Sequence, residues 1–112
     1  MNKILLTTFI ILLLSAGQAS ADNAQISKGR DIYQHWCAPC HAPGPNHPGT
    51  NALAAKYKGT IPSVLEQRPG LTSEFISQYV RHGVSIMPFF RKTEISDGDL
   101  QAIAAYLSRN NK

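Results

Sequence analysis

The pentapeptide Cys37-Ala38-Pro39-Cys40-His41 constrains the fold of this 112-residue chain more than any other stretch. Cys-x-x-Cys-His is the attachment sequence of a c-type haem. Each thiol adds across one porphyrin vinyl group to give a thioether, and the adjoining histidine is then close enough to bind iron from the proximal side. A chain that holds a porphyrin in this way has to fold around it. Two other chemistries compete for the same cysteines. A thiol–disulfide redox pair usually sits at the start of a helix that follows a strand, and no strand pattern precedes Cys37. A structural zinc site normally takes four ligands, and the chain has neither a second cysteine pair nor histidines at short spacing. With only two cysteines, a disulfide framework is excluded unless the two bond to each other.

Haem attachment takes place outside the cytoplasm, so an export signal is expected. Lys3 gives a positive start, residues 4–14 are apolar apart from Thr7 and Thr8, and Ala19-Ser20-Ala21 matches a small-residue cleavage site. The 11-residue apolar run is too short for a spanning helix, which needs about 20 such residues. We therefore read residues 1–21 as a cleaved secretory signal and residues 22–112 as one domain in the bacterial periplasm, with no membrane span after cleavage. The 91 remaining residues bury only about 60–65% of their unfolded surface. Such a core is marginal, and a buried porphyrin would enlarge it. The chain carries a net charge of +4, or +3 once Lys3 is removed, without the clustered basic stripe that nucleic acid would require.

Along the mature chain, residues 22–36 read as a helix with Ile26, Gly29, Tyr33 and Trp36 near one face. Gly29 is placed to admit a second helix. That partner lies at the carboxyl end, where Ser96 and Asp99 resemble a capping box and Leu100, Ile103, Ala104 and Leu107 form a helical stripe beside Tyr106. Arg109 and Lys112 suit the negative end of that helix, and residues 110–112 are expected to fray. Residues 42–50 contain Pro43, Pro45 and Pro48 with Gly44 and Gly49, which predicts a stiff irregular loop. A carbonyl in this loop, with Pro48 as a candidate, is suited to accept the free ring N–H of His41. Short helices are expected over 51–57 and 62–67. A clearer one is capped by Thr72, carries Phe75, Ile76, Tyr79 and Val80 on one face, and stops at Gly83 in left-handed geometry. No strand-like alternation persists, so the class is all-α.

The iron's sixth position decides between an electron carrier and a haem that binds small ligands. Met87 is the leading candidate, as the only methionine left after signal removal, 46 residues beyond His41 in a loop between two helices. A thioether there favours Fe(II), and Pro88 stiffens the segment. His35, His47 and His82 are the rival ligands, and core filling is the competing role for Met87 itself. Phe89 and Phe90 suit shielding of the haem or docking beside its edge. Arg81, Arg91 and Lys92 suit pairing with the propionates or with an acidic partner.

With these residues in place, the chain resembles a class I c-type monohaem cytochrome. Gly29 and Tyr33 match that family's glycine–aromatic helix contact, Ile103, Tyr106 and Leu107 its carboxyl-terminal counterpart, and Cys37, Cys40, His41 and Met87 its haem ligation. The resemblance implies N- and C-terminal helices packed across each other, with one haem c, bound through Cys37 and Cys40, among short helices. A narrower likeness, carried by Arg81-His82-Gly83 and Ile86-Met87-Pro88-Phe89-Phe90, is to the small cytochrome subunits of flavocytochromes that oxidise 4-alkylphenols, of the 4-cresol dehydrogenase and eugenol hydroxylase type. It implies a periplasmic one-electron carrier with His41 and Met87 as iron ligands. Such a carrier accepts electrons from a flavoprotein dehydrogenase subunit and passes them to a downstream acceptor. The loop after His41 departs from the 4-cresol dehydrogenase pattern. The alternatives are a diffusible cytochrome c of another pathway, and a haem peroxidase or gas sensor with an open sixth position, for which His82 is the one plausible distal group.

Overall fold

A computed structural model describes residues 2–111, with side chains from residue 17 onward. The apolar run of the expected leader and Lys112 therefore lie outside the described side chains. Five helices occur in order: α1 (Asn2–Trp36), α2 (Ala38–His41), α3 (Pro48–Tyr57), α4 (Ser73–His82) and α5 (Asp97–Ser108), with a 3-10 turn at Leu65–Gln67. The class is all-α, and the described residues contain one isolated antiparallel bridge, Val84 to Met87, and no strand.

The crossing of α1 and α5 organises the molecule. Tyr33 and Ile103 are fully buried in it, and Leu100, Tyr106 and Leu107 join the same core. Gly29 lies directly against α5, so close that a Cβ there would overlap the Ala102 carbonyl and stand 3.0 Å from Tyr106 Cβ. The Tyr33 and Tyr106 rings meet at 5.6 Å, tilted by 54°, an arrangement worth about 0.5–1.5 kcal/mol beyond the area it buries. Lys28 on α1 pairs with Asp99 on α5 at 2.9 Å. At the start of α5, Ser96 Oγ accepts from Asp99 N at 3.1 Å, as the capping box predicts.

Several local expectations are corrected. The first helix runs continuously from Asn2 through residue 22 to Trp36, because nothing from 17 to 36 includes a proline to stop it. Trp36 is 37% exposed and turns outward, its ring edge-on to Phe90 at 5.8 Å. The irregular loop after His41 ends at His47, since Pro48 opens α3 where its missing N–H costs nothing. That loop is pinned by side chains: Thr50 Oγ1 donates to Ala42 O at 2.9 Å and Asn51 Nδ2 to Pro45 O at 2.7 Å. The helix expected over 62–67 contracts to the 3-10 turn because β-branched Val64 stays extended, with φ −79° and ψ 118°. The end of the chain does not fray through Asn111. Asn110 Nδ2 donates to Glu66 O and Asn111 Nδ2 to Leu71 O, each at 2.7 Å.

Candidate functional site

Helix α2 places the sequence motif. Cys37 continues from α1 through a 2.9 Å bond from its N–H to Tyr33 O, and the following turn closes by His41 N donating to Cys37 O at 2.9 Å. This tight turn directs Cys37 and His41 into one cavity of about 360 Å³, also lined by Leu71, Ile76 and Ile103. Cys40 is exposed and does not line it. Cys37 and Cys40 are not joined in a disulfide. Burial, with a smaller contribution from Cys40, pushes the Cys37 thiol up to about 12. The same burial, aided by the charge of Arg68, lowers the pKa of His41 and favours the neutral imidazole that ligation requires.

Across the cavity, Met87 enters from the loop between α4 and α5 and is half-buried. Its backbone is fixed by two reciprocal bonds, Val84 N to Met87 O at 3.1 Å and Met87 N to Val84 O at 2.9 Å. Thr72 caps α4 by accepting from Phe75 N at 3.2 Å. Phe75, Ile76, Tyr79 and Val80 all line the cavity, with Ile76 and Val80 buried and Phe75 43% exposed. The rival histidines do not reach the cavity. His35 is exposed against Trp36, His47 Nδ1 donates to Pro39 O at 3.0 Å, and His82 Nδ1 donates to Gln78 O at 2.9 Å. Neither Phe89 nor Phe90 lines it: Phe89 is 62% exposed, and Phe90 packs on the core and Trp36.

The expected charged groups also find other work. Arg81 donates to Phe90 O at 3.1 Å and Ile95 O at 2.8 Å and pairs with Asp97 at 2.9 Å, Lys92 pairs with Asp97 at 2.8 Å, and Arg91 pairs with Glu94 at 2.7 Å. Lys56 and Arg68 are the cations that line the cavity, and neither was singled out in the sequence; the buried one is Arg68. It is 5% exposed, its Nε donates to Pro62 O at 3.1 Å, and its guanidinium lies 4.8 Å over Tyr57. No motif marks it; the one available signal was its position just after a proline-flanked turn.

Two buried polar atoms in this region have no hydrogen-bond partner: Arg68 Nη2 and His41 Nδ1. The expected acceptance of His41 by the Pro48 carbonyl is therefore not made. Pro48 begins α3, and its carbonyl is aligned with that helix instead. Close by, Gly49 leaves room for the His41 ring, since a Cβ there would stand 2.7 Å from His41 Cε1. A buried guanidinium with a free N–H calls for an anion. The cavity thus fits a large apolar group with an anionic edge, and both an imidazole and a thioether line it. Haem has those properties, with its propionates suited to Arg68. Among the described residues no cluster of three or more His, Cys, Asp or Glu side chains forms a metal-ion site.

Crossed end helices and an apolar cavity edged by a Cys-x-x-Cys-His turn define a c-type cytochrome domain. Residues 24–107 match the family described as cytochrome c oxidase, cbb3-type, subunit III, and the chain belongs to this cytochrome c family. It is 35% identical over 97 residues to the 4-cresol dehydrogenase [hydroxylating] cytochrome c subunit of Pseudomonas putida, covering 87% of this chain and 72% of that one. It is 30% identical over 105 residues to cytochrome c6 of Cyanidioschyzon merolae, covering 94% and 91%. Cytochrome c6 of Bryopsis maxima is 30% identical over 82 residues, covering 73% and 88%. No solved structure gives a significant match. The chain is accordingly a cytochrome c electron carrier with covalently bound haem c, and Cys37 and Cys40 are its only cysteines. Among the described residues, no helix is long and apolar enough to cross a membrane.

Proposed function

We propose that this protein is an exported, periplasmic one-electron carrier in which Cys37 and Cys40 form the two thioethers and His41 and Met87 are the axial ligands. The observation that carries this reading is the convergence on one apolar cavity of Cys37 and His41, from the turn after α1, and Met87, from the loop between α4 and α5. When bound, the haem supplies an iron centre that cycles between Fe(III) and Fe(II). The chain's part is to hold both ligands in nearly the same place in the two states, keep water from the iron with Leu71, Ile76 and Ile103, and balance anionic charge with Arg68. No side chain acts as acid, base or nucleophile.

The partner proposed is a flavoprotein dehydrogenase of the 4-alkylphenol-oxidising type. The Pseudomonas putida relative, a cytochrome c subunit of 4-cresol dehydrogenase, and the Met87 segment support it. A diffusible carrier is the second reading, supported by cytochrome c6 of Cyanidioschyzon merolae, 91% of which this chain covers. Co-purification with a flavoprotein distinguishes them. A peroxidase or gas sensor is disfavoured because His82 bonds to its own helix and stands outside the cavity.

Optical spectroscopy tests the ligation. The oxidised protein should show a sulfur-to-iron charge-transfer band, and the reduced protein should not bind carbon monoxide readily. Absence of the band together with ready carbon monoxide binding overturns the carrier reading. Mass spectrometry of the exported protein should give a chain beginning at Asp22 plus one haem.

A further inference from the structure

Helix α4 ends at Gly83 with φ 68° and ψ 177°. The left-handed helical region expected of a helix stop has ψ near +45°, whereas this combination is essentially restricted to glycine. Its cause lies in the segment that passes behind the helix end. A Cβ at position 83 would stand 2.6 Å from Met87 O, 2.9 Å from Phe89 N and 3.0 Å from the Pro88 carbonyl carbon. All three are backbone atoms, and they belong to successive residues, so no side-chain rotation relieves the overlap.

The passing segment is also held on either side. Val84 and Met87 exchange their two backbone bonds, Phe90 N donates to Val80 O at 2.8 Å, and Arg81 Nη1 donates to Phe90 O. With the segment following directly on α4 and turned back at Val84 at one end, and Phe90 bonded to Val80 and Arg81 of α4 at the other, the separation between the end of α4 and residues 87–89 sets how far Met87 reaches into the cavity. We infer that Gly83 is a positioning residue for Met87: its missing Cβ and its glycine-only backbone let residues 87–89 lie against the end of α4 at the depth the thioether needs. This inference rests on the proposed ligation of iron by Met87.

Gly59 provides a control. Its φ of 84° means that alanine there is strained as well, but a Cβ at that position has nothing within 4 Å. Holoproteins carrying Gly83→Ala and Gly59→Ala are compared with the wild type by the sulfur-to-iron band and by redox titration. Gly83→Ala should lose the band and titrate at a lower potential, while Gly59→Ala keeps both. Retention of band and potential in Gly83→Ala overturns the inference, as does their loss in both variants, which would assign the effect to backbone strain alone. A wild type without the band is a different failure: it removes Met87 as ligand and this inference with it. If Gly83→Ala does not accumulate as holoprotein, the reduced wild type decides by NMR. Cross-relaxation between the Gly83 α-protons and the Phe89 amide proton is expected, and its absence overturns the placement.

Discussion

Arg68 shows how one buried charge constrains the whole site. A guanidinium that is 5% exposed, stacked on Tyr57 and left with a free N–H is costly unless an anion completes it. Replacing it with glutamine removes a positive charge beside the haem cavity, and a nearby cation favours the less positive Fe(II) state. Arg68→Gln should therefore lower the reduction potential, read by redox titration, while the sulfur-to-iron band persists. An unchanged potential would mean that Arg68 faces no propionate. Met87→Ala acts differently: it should lower the potential, abolish the band and admit carbon monoxide, with haem still covalently attached to Cys37 and Cys40. The proposed ligands are legible in the sequence because their spacing is chemical: Cys37, Cys40 and His41 must be near neighbours, and Met87 is the only methionine beyond Met1. Arg68 is not, since its role comes from burial beside Pro62 and Tyr57, which no local pattern encodes. Arg81 and Lys92 looked equally available in sequence, yet both are drawn to Asp97.

Helix elements were readable wherever periodicity and caps agreed. Thr72 and Ser96 both cap as their spacing predicts, and Gly29 meets α5 as its place opposite the Leu100–Ile103 stripe requires. Reading failed where a proline, a β-branched residue or a distant partner decided the boundary, as at Pro48, Val64 and the Asn110–Asn111 pair bonded to Glu66 and Leu71. Gly29→Ala weighs two effects of opposite sign. Alanine improves helix propensity by about 1 kcal/mol, but overpacking costs about 1–3 kcal/mol, and here the obstacle is the Ala102 backbone. Net destabilisation of about 1–2 kcal/mol is expected, measured as a lower denaturant midpoint of the holoprotein; an equal or higher midpoint would show that α1 and α5 do not cross at this glycine. The helix-linking charges also predict a pH dependence. Asp99 is held below its ordinary value of 3.8 first by Lys28 and then by Ser96, and Asp97 likewise by Lys92 and Arg81. Depressed folded values mean that these carboxylates contribute stability above pH 3.8, lost as pH falls through their folded values. Acid titration should show stability declining below about pH 4, and Asp99→Asn should flatten the decline.

At the scale of the whole molecule, the core is built around a space that the polypeptide does not fill. Tyr33, Ile103 and Leu107 close it from the crossed helices, while Leu53, Phe75, Tyr79 and Met87 turn apolar surface toward it and remain only partly buried. A cavity of about 360 Å³, at about 24 cal/mol per Å³, represents about 9 kcal/mol of lost packing, an upper limit because water can enter from the open side. Domains of this size are stable by about 5–15 kcal/mol net, so that deficit is comparable with the whole net stability expected of the chain. Filling by haem also couples distant segments, since the cavity joins α2, α3, the 3-10 turn, α4 and the Met87 loop with the α1–α5 pair. A variant with Cys37→Ser and Cys40→Ser, unable to retain haem covalently, should keep helical far-ultraviolet dichroism from α1 and α5 but lose a cooperative thermal transition. Calorimetry of the haem-free variant checks this: a sharp transition near the holoprotein's midpoint would show that the polypeptide alone closes the cavity, and a broad or absent one that haem is part of the core.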